Sequence, residues 1–475
     1  MMKKDDCFTI TDTINNSING TVLGVNPKIG YVTSITPEMV YGNRMLYYTS
    51  HAESSRMKDF IVNDLFQIIK RGESFVVSDI KADMIFLLQD MCKSSGYTVK
   101  VFNPFKKESL LCDTLADGVD LISTLYDRNG IRDCEVENAI AFATSLMNGT
   151  YETVTDGLLN DIQMALLTAV ILYTMYYEAK DLKEPLRTMS AVYHLLADNN
   201  VDELHNLFLQ FSQDTEKDET HSHPAWNQYL TYYFCEESHL NNEEYLLHQT
   251  SLHHTIREAL LMRLGIFASE DVCKQASLNE IDLCLPAREK CAYFVMECDD
   301  FCGDVLTNLF IDSLITQIAI QDKLAIGDPS FKRVPVNMFL PVLPHILGIS
   351  AIEMKMRVIR DYIRITFLAE TPPRHLAEMG ADVNWRLLMS DCDVHIFFGT
   401  DNMNYHEFMR QHLRCFHEFS EPLSVMWSEI FTDLPALLSN ECVVLIEGNG
   451  PFLFNTIPCK EHPLFPRPFT ISTMK

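Results

Sequence analysis

The stretch Tyr47–Met84, YYTSHAESSRMKDFIVNDLFQIIKRGESFVVSDIKADM, decides the fold. With the apolar run RMLYYTS leading into it, it reads as a strand, a tight loop, a helix and a second strand ending in Asp79. From Ser55, the run SRMKDFIVNDLFQIIKRG puts Met57, Ile61, Leu65 and Ile68–Ile69 on one helical face, with Gly72 after its end. That strand–loop–helix setting is where nucleotide-binding proteins place a phosphate-cradling loop. Such a loop needs G-x-x-x-x-G-K-[ST], so that backbone N–H groups close round phosphates, a lysine meets the outer phosphates and a hydroxyl holds Mg²⁺. The equivalent positions here are Ser50, Ser55, Arg56 and Met57. Serine adds a Cβ where backbone must approach closely, arginine is a planar fork rather than a compact ammonium, and a thioether does not ligate a hard cation. The residues fit a plain connection, or at most a weak anion site using Arg56 and free N–H groups at the helix start.

Beyond Asp79 the alternation continues. KADMIFLLQDMCKSSG is a second helix stopped at Gly96, and YTVKVFNP a third strand. A βαβαβ unit predicts a parallel sheet with right-handed crossovers. Upstream, residues 1–45 read as an entry segment of short strands, with NNSING and NPKIG as turns. From about Leu115 to Leu264 strands disappear. The amphipathic runs VENAIAFATSLM, LLNDIQMALLTAVILYTMYYEA, MSAVYHLLAD, VDELHNLFLQF, WNQYLTYYFCEE and LHHTIREALLMRLGIF predict successive helices, and the polar run Ser212–Pro224 a loop. Alternation resumes near Ile281: KCAYFVMEC, VPVNMFLPVL, IRITFLAE and DVHIFFGT as strands, DVLTNLFIDSLITQIAIQDKL, AIEMKMRVIRDY and MNYHEFMRQHL as helices, and ECVVLIEGNGPFLFN as a terminal strand or hairpin. The expected organisation is an α/β domain over 46–114 and 270–475, interrupted by an all-α domain over 115–269.

Composition bounds the partners. Lys and Arg number 38 against 65 Asp and Glu, a net charge of −27 that repels a phosphate backbone, so direct DNA binding is expected to be weak. The start MMKKDDCFTI lacks the apolar core of a secretory leader, so the 14 scattered cysteines are expected to be reduced and the protein cytoplasmic. The most apolar run, Met164–Tyr177, falls short of the ~20 residues that cross a bilayer and reads as a buried core helix.

A second position bears on nucleotide chemistry. An ATPase would end the strand VPVNMFLPVL in Asp-Glu to organise Mg²⁺ and the attacking water. Here Pro341 and Val342 stand there, and neither ligates a metal or acts as a base. Other groupings are thinner. His412 and Cys415 share a helical face beside His417, Cys298 and Cys302 form one short pair, and His221–Pro224 sits in an acidic loop. None supplies a full ligand set, and no metal is expected.

GESFVVSDIKADMIFLLQDMCKSSGYTVKVFNPF resembles the segment after the phosphate loop in type IV secretion coupling proteins of the TraG/TraD family. Asp79 and Lys81 match the Asp and Lys of that family's DPKGE motif, while Ile80, Ala82 and Asp83 replace its Pro, Gly and Glu. RVPVNMFLPVLPHILGI, SDCDVHIFFGTDN and NECVVLIEGNGPFLFNTIPCKEHPLF are similar to later family motifs, in the same order, from about Tyr47 to Phe465. The resemblance implies a RecA-like, P-loop NTPase-type parallel sheet flanked by helices, with an all-α domain inserted. It also implies a six-membered ring at the inner membrane that hands relaxase-bound DNA to a conjugation channel using ATP. Against that pattern stand Arg56, Met57, Pro341 and Val342, Glu370 near an expected glutamine, and no counterpart of the family's membrane helices. The expectation is a pseudo-ATPase subunit without ATP or Mg²⁺, an interaction or regulatory component. Its partners would be conjugation or secretion proteins, including a competent paralogue or a relaxase, holding it at the inner face of the cell membrane in a homo- or hetero-oligomer. The alternative is an active DNA-translocating ATPase in which Lys58 reaches the phosphates and Asp79 serves the metal.

Overall fold

A computed structural model describes residues 8–11, 14, 20–28, 30–35, 43–47, 51–79, 83–103, 117–119, 121–122, 136–149, 157–181, 188–215, 222–234, 242–278, 280–296, 301–327, 333–341, 363–369, 391–398, 440–446 and 449–466. The first half of the α/β unit is β1 (Phe8–Thr11), β2 (Thr21–Val25), β3 (Val32–Ile35), β4 (Asn43–Tyr47), α1 (His51–Arg71), β5 (Ser74–Ser78), α2 (Asp83–Ser94) and β6 (Thr98–Phe102). Helices follow: α3 (Val136–Gly149), α4 (Gly157–Asp181), α5 (Met189–Ala197), α6 (Val201–Thr215), α7 (Pro224–Tyr233), α8 (Asn242–Leu264) and α9 (Glu270–Leu278). Then come β7 (Cys291–Val295), α10 (Phe301–Gly327), β8 (Val336–Pro341), β9 (Ile363–Ala369), β10 (Cys392–Phe398), β11 (Glu441–Ile446) and β12 (Asn449–Asn455).

The described strands form one sheet in the order β1-β3-β2-β12-β11-β10-β4-β9-β8-β5-β7-β6. From β10 to β6 every pairing is parallel. The βαβαβ unit is therefore parallel as expected, but its strands are not neighbours. β9 and β8 stand between β4 and β5, and β7 stands between β5 and β6. The expected entry segment joins this sheet at its antiparallel edge, where β12 meets β2. Gly24 is needed there: its φ is +149°, and a Cβ would lie 2.3 Å from the Asn455 carbonyl oxygen. At the opposite edge, Asp117 covers β6. Its N–H donates to Val101 O, its carboxylate accepts the Val101 N–H, and Lys100 pairs with it at 2.8 Å.

The central strands are near-continuous apolar runs because both faces are covered. Alternation sorts their side chains. Leu46, Phe75, Val77, Phe339, Ile396 and Phe398 meet α1 and α2 on one face. Met45, Val76, Met338, Leu340 and Phe397 lie on the other, in a core shared with α10 and the helices α3–α9. α4 is buried along Ala165–Leu172, which accounts for its apolar run. No helix among the described residues is long and apolar enough to cross a membrane. The helices expected at 351–362 and 403–413 lie outside the described residues.

Candidate functional site

In an open parallel sheet, ligands bind beyond the carboxyl ends of the strands. The register brings the expected site to that edge. Tyr47 is level with Ala369, and Pro341 with Leu368. Asp79 lies two residues beyond Val77, whose partner Phe339 lies two before Pro341. The strand ends carrying the loop, Asp79 and Pro341 thus share one edge. Ser50, Lys81, Val342 and Glu370 lie outside the described residues.

The loop differs from expectation. α1 begins at His51, not near Ser55, so three residues separate strand from helix. Ser55, Arg56 and Met57 consequently sit in the second turn, where each N–H closes onto a carbonyl four residues back. They are not the free donors that an anion at a helix start requires. Ser55 is exposed and Arg56 half-buried, while Met57 is buried in the core between helix and sheet. The Arg56 guanidinium acts on Cys442 of β11, two strands from β4. Burial pushes that thiol up to about 12, and Arg56 partly opposes the push.

Asp79 is 3% exposed. Its carboxylate accepts the N–H groups of Met84 at 3.0 Å and Ile85 at 2.8 Å, capping the first turn of α2. Burial raises its pKa, the two backbone bonds offset that in part, and the neighbouring Asp83 raises it further. Lys58, the lysine that an active site would have to recruit, instead meets Asp83 at 2.6 Å, joining the starts of α1 and α2. Sequence reasoning missed this pair because Asp83 is 25 residues away and only the packing of two helices brings it near. Pro341 closes β8 with no donor for a cation. Among the described residues, then, this edge offers the Asp79 carboxylate as a helix cap and the Lys58–Asp83 pair.

The other groupings are likewise resolved or out of reach. His223 is not a solvated loop residue: its Nδ1 caps α7 by accepting the Ala225 N–H, and its ring packs on Tyr176 and Phe211. His221, Cys298, His412, Cys415 and His417 lie outside the described residues. Among the described residues no group of three or more His, Cys, Asp or Glu could hold a metal.

The buried charges lie at the opposite, amino end of the strands. Arg44 of β4 pairs with Asp64 of α1 at 2.7 Å, with Thr21 of β2 bonded to both. Beside them, Glu73 takes Arg71 at 2.8 Å, Arg364 of β9 at 3.4 Å and the Asn337 amide of β8 at 3.1 Å. Burial alone would raise the Glu73 pKa. The bond and charge of Arg71, the charge of Arg364 and the Asn337 bond outweigh it and hold the carboxyl below its ordinary range.

The large, mostly parallel sheet with helices on both faces matches a P-loop NTPase-type fold, and comparison with solved structures narrows the class. No protein-family model and no curated protein matches the sequence. The chain is similar to the bacterial conjugative coupling protein TrwBΔN70 in its unbound form (12% identity, TM-score 0.59, 91% of this chain and 88% of that one). It is similar to plasmid coupling protein TrwB in complex with ADP and Mg²⁺ (11% identity, TM-score 0.60, 90% and 87%). VirB4 of Thermoanaerobacter pseudethanolicus aligns at 11% identity and TM-score 0.52 over 94% of this chain and 99% of that one. The chain has the fold of a type IV secretion coupling protein.

Proposed function

We propose that this protein is a catalytically silent, coupling-protein-like subunit of a conjugative DNA-transfer or type IV secretion apparatus, acting as an interaction or regulatory component. One observation carries the reading. At the edge where TrwB-like folds would take nucleotide, α1 starts at His51, Lys58 is paired with Asp83 and Asp79 caps α2. TrwB has been solved in complex with ADP and Mg²⁺. The charge balance supports a protein rather than a DNA partner: residues 136–278 alone carry 21 Asp and Glu against 7 Lys and Arg. The natural partners are secretion or conjugation proteins, including a competent coupling-protein paralogue or a relaxase. Such partners would hold the chain at the inner face of the cell membrane.

Calorimetric titration with ATP and with ADP, each with and without Mg²⁺, is expected to show no saturable binding, and the purified chain no ATP turnover. Turnover abolished by Arg56→Ala or Lys58→Ala would overturn the reading. Co-purification with a competent coupling protein supports the regulatory role, whereas a strictly monomeric chain that ignores such a protein removes it.

A further inference from the structure

After β12 the chain does not leave the molecule but crosses the outer side of α1. The Asn63 amide of α1 donates to Ile457 O at 2.8 Å, and the Cys459 N–H donates to Asp59 Oδ1 at 3.1 Å. The His462 ring stacks on Phe66 with centroids 4.7 Å apart, and Phe465 meets Phe66 edge-on. Asn63, Phe66 and Gln67 are buried, so a helix face that would otherwise carry polar groups to water is covered by this segment.

The hydrogen bonds of His462 admit one protonation state. Its Nδ1 accepts the Leu464 N–H at 3.1 Å, so that nitrogen carries no proton. A neutral imidazole then bears its proton on Nε2, which lies 2.8 Å from the side-chain amide of Gln67. The Gln67 amide nitrogen is placed against Nε2 while its oxygen is buried without a partner, and because two donors cannot meet, we assign the amide turned over, its oxygen accepting the Nε2 proton. A second proton would set N–H of the ring against N–H of Leu464. His462 is 4% exposed. Burial and then the charge of Lys70 on α1 lower its pKa to about 4. The other charged groups near the segment are Lys460 and Glu461, both exposed on it, and Asp59 and Lys58 of α1, which act on Cys459 at its far end.

We propose that Ile457–Phe465 is a strap locked by neutral His462, which holds α1 against the sheet and lets go, as a unit, when the imidazole is protonated. The proposal is independent of whether the carboxyl edge takes nucleotide. The sign follows from the shift. A histidine whose folded value lies below the ordinary 6.5 keeps the strap closed above 6.5, and that closure weakens as pH falls from 6.5 toward about 4.

Hydrogen exchange on the full chain tests it, with α1 peptides compared to peptides from β5, β7 and β8 and rates corrected for their intrinsic pH dependence. From pH 7 to pH 5 the opening of α1 is expected to rise on the order of tenfold while the sheet stays protected. His462→Ala should show the open level already at pH 7 and lose most of the pH dependence. Mass-resolved labelling of Cys459 at pH 7 should rise in that variant, since burial and the bond to Asp59 push its thiol up to about 12 while the strap is seated. The proposal fails if α1 and the sheet open together, or if α1 protection in the wild-type chain is unchanged between pH 7 and pH 5. The wild-type series decides even where His462→Ala does not fold.

Discussion

At the amino end of the parallel strands, Arg44, Asp64 and Thr21 are buried and bonded across β4, α1 and β2, and beside them buried Glu73 and Asn337 bond with half-buried Arg364 across β8 and β9. At the carboxyl end, where this fold would do its chemistry, stand Met57 in an apolar core, Asp79 as a helix cap, an exposed Lys58–Asp83 pair and Pro341. The contrast teaches where charge has been kept. A buried ion pair ties several segments together whether or not a ligand ever binds, so the base depends on it for the fold. A catalytic charge serves only its ligand.

The contrast can be broken most directly at Asp64. Asp64→Ala strands a buried guanidinium and should cost about 3–5 kcal/mol, read as the denaturant midpoint, whereas the double change Arg44→Met, Asp64→Leu should recover most of that. Glu73→Gln should cost about 1–3 kcal/mol by leaving Arg364 and Asn337 poorly paired. Because the Glu73 pKa is depressed, its contribution is present above the ordinary carboxylate range and disappears as pH falls through the folded value. The Gln variant should flatten that acid limb of a stability–pH curve.

Effects should be smaller at the top. Asp79→Ala removes a cap and should cost about 0.5–2 kcal/mol. Since the Asp79 pKa is raised, wild-type stability should decline as pH rises through the folded value, and Asp79→Asn should remove that decline. Lys58→Ala should cost less than about 1 kcal/mol, because the pair is solvent-exposed, and should be screened by salt. A Lys58→Ala cost equal to that of Asp64→Ala would erase the difference between the two ends.

Much of this was legible along the chain. The face Met57, Ile61, Leu65, Ile68 and Ile69 is buried, and Gly72 and Gly96 end α1 and α2 with φ of +71° and +78°. The hairpin of β11 and β12 follows from its two apolar runs. The start of α1 was not legible, because HAES has no glycine or proline to hold a loop open and nothing local separates helix from loop there. The charges of the base were missed for another reason. Arg44 and Glu73 look like ordinary surface residues in a linear reading, and only strand order buries them.

Local periodicity and turn chemistry by themselves indicated most of the described helices and strands, the parallel character of the βαβαβ unit, and that the residues at the loop and the Asp-Glu position differ from a nucleotide-binding pattern. Those are properties of neighbours in the chain. Tertiary structure alone decided that β8 and β9 separate β4 from β5, that Lys58 meets Asp83 and Arg44 meets Asp64, and that His462 returns across some 395 residues to Gln67. The reason is that a long-range pairing depends on which buried surfaces fit together, and no residue records its distant partner.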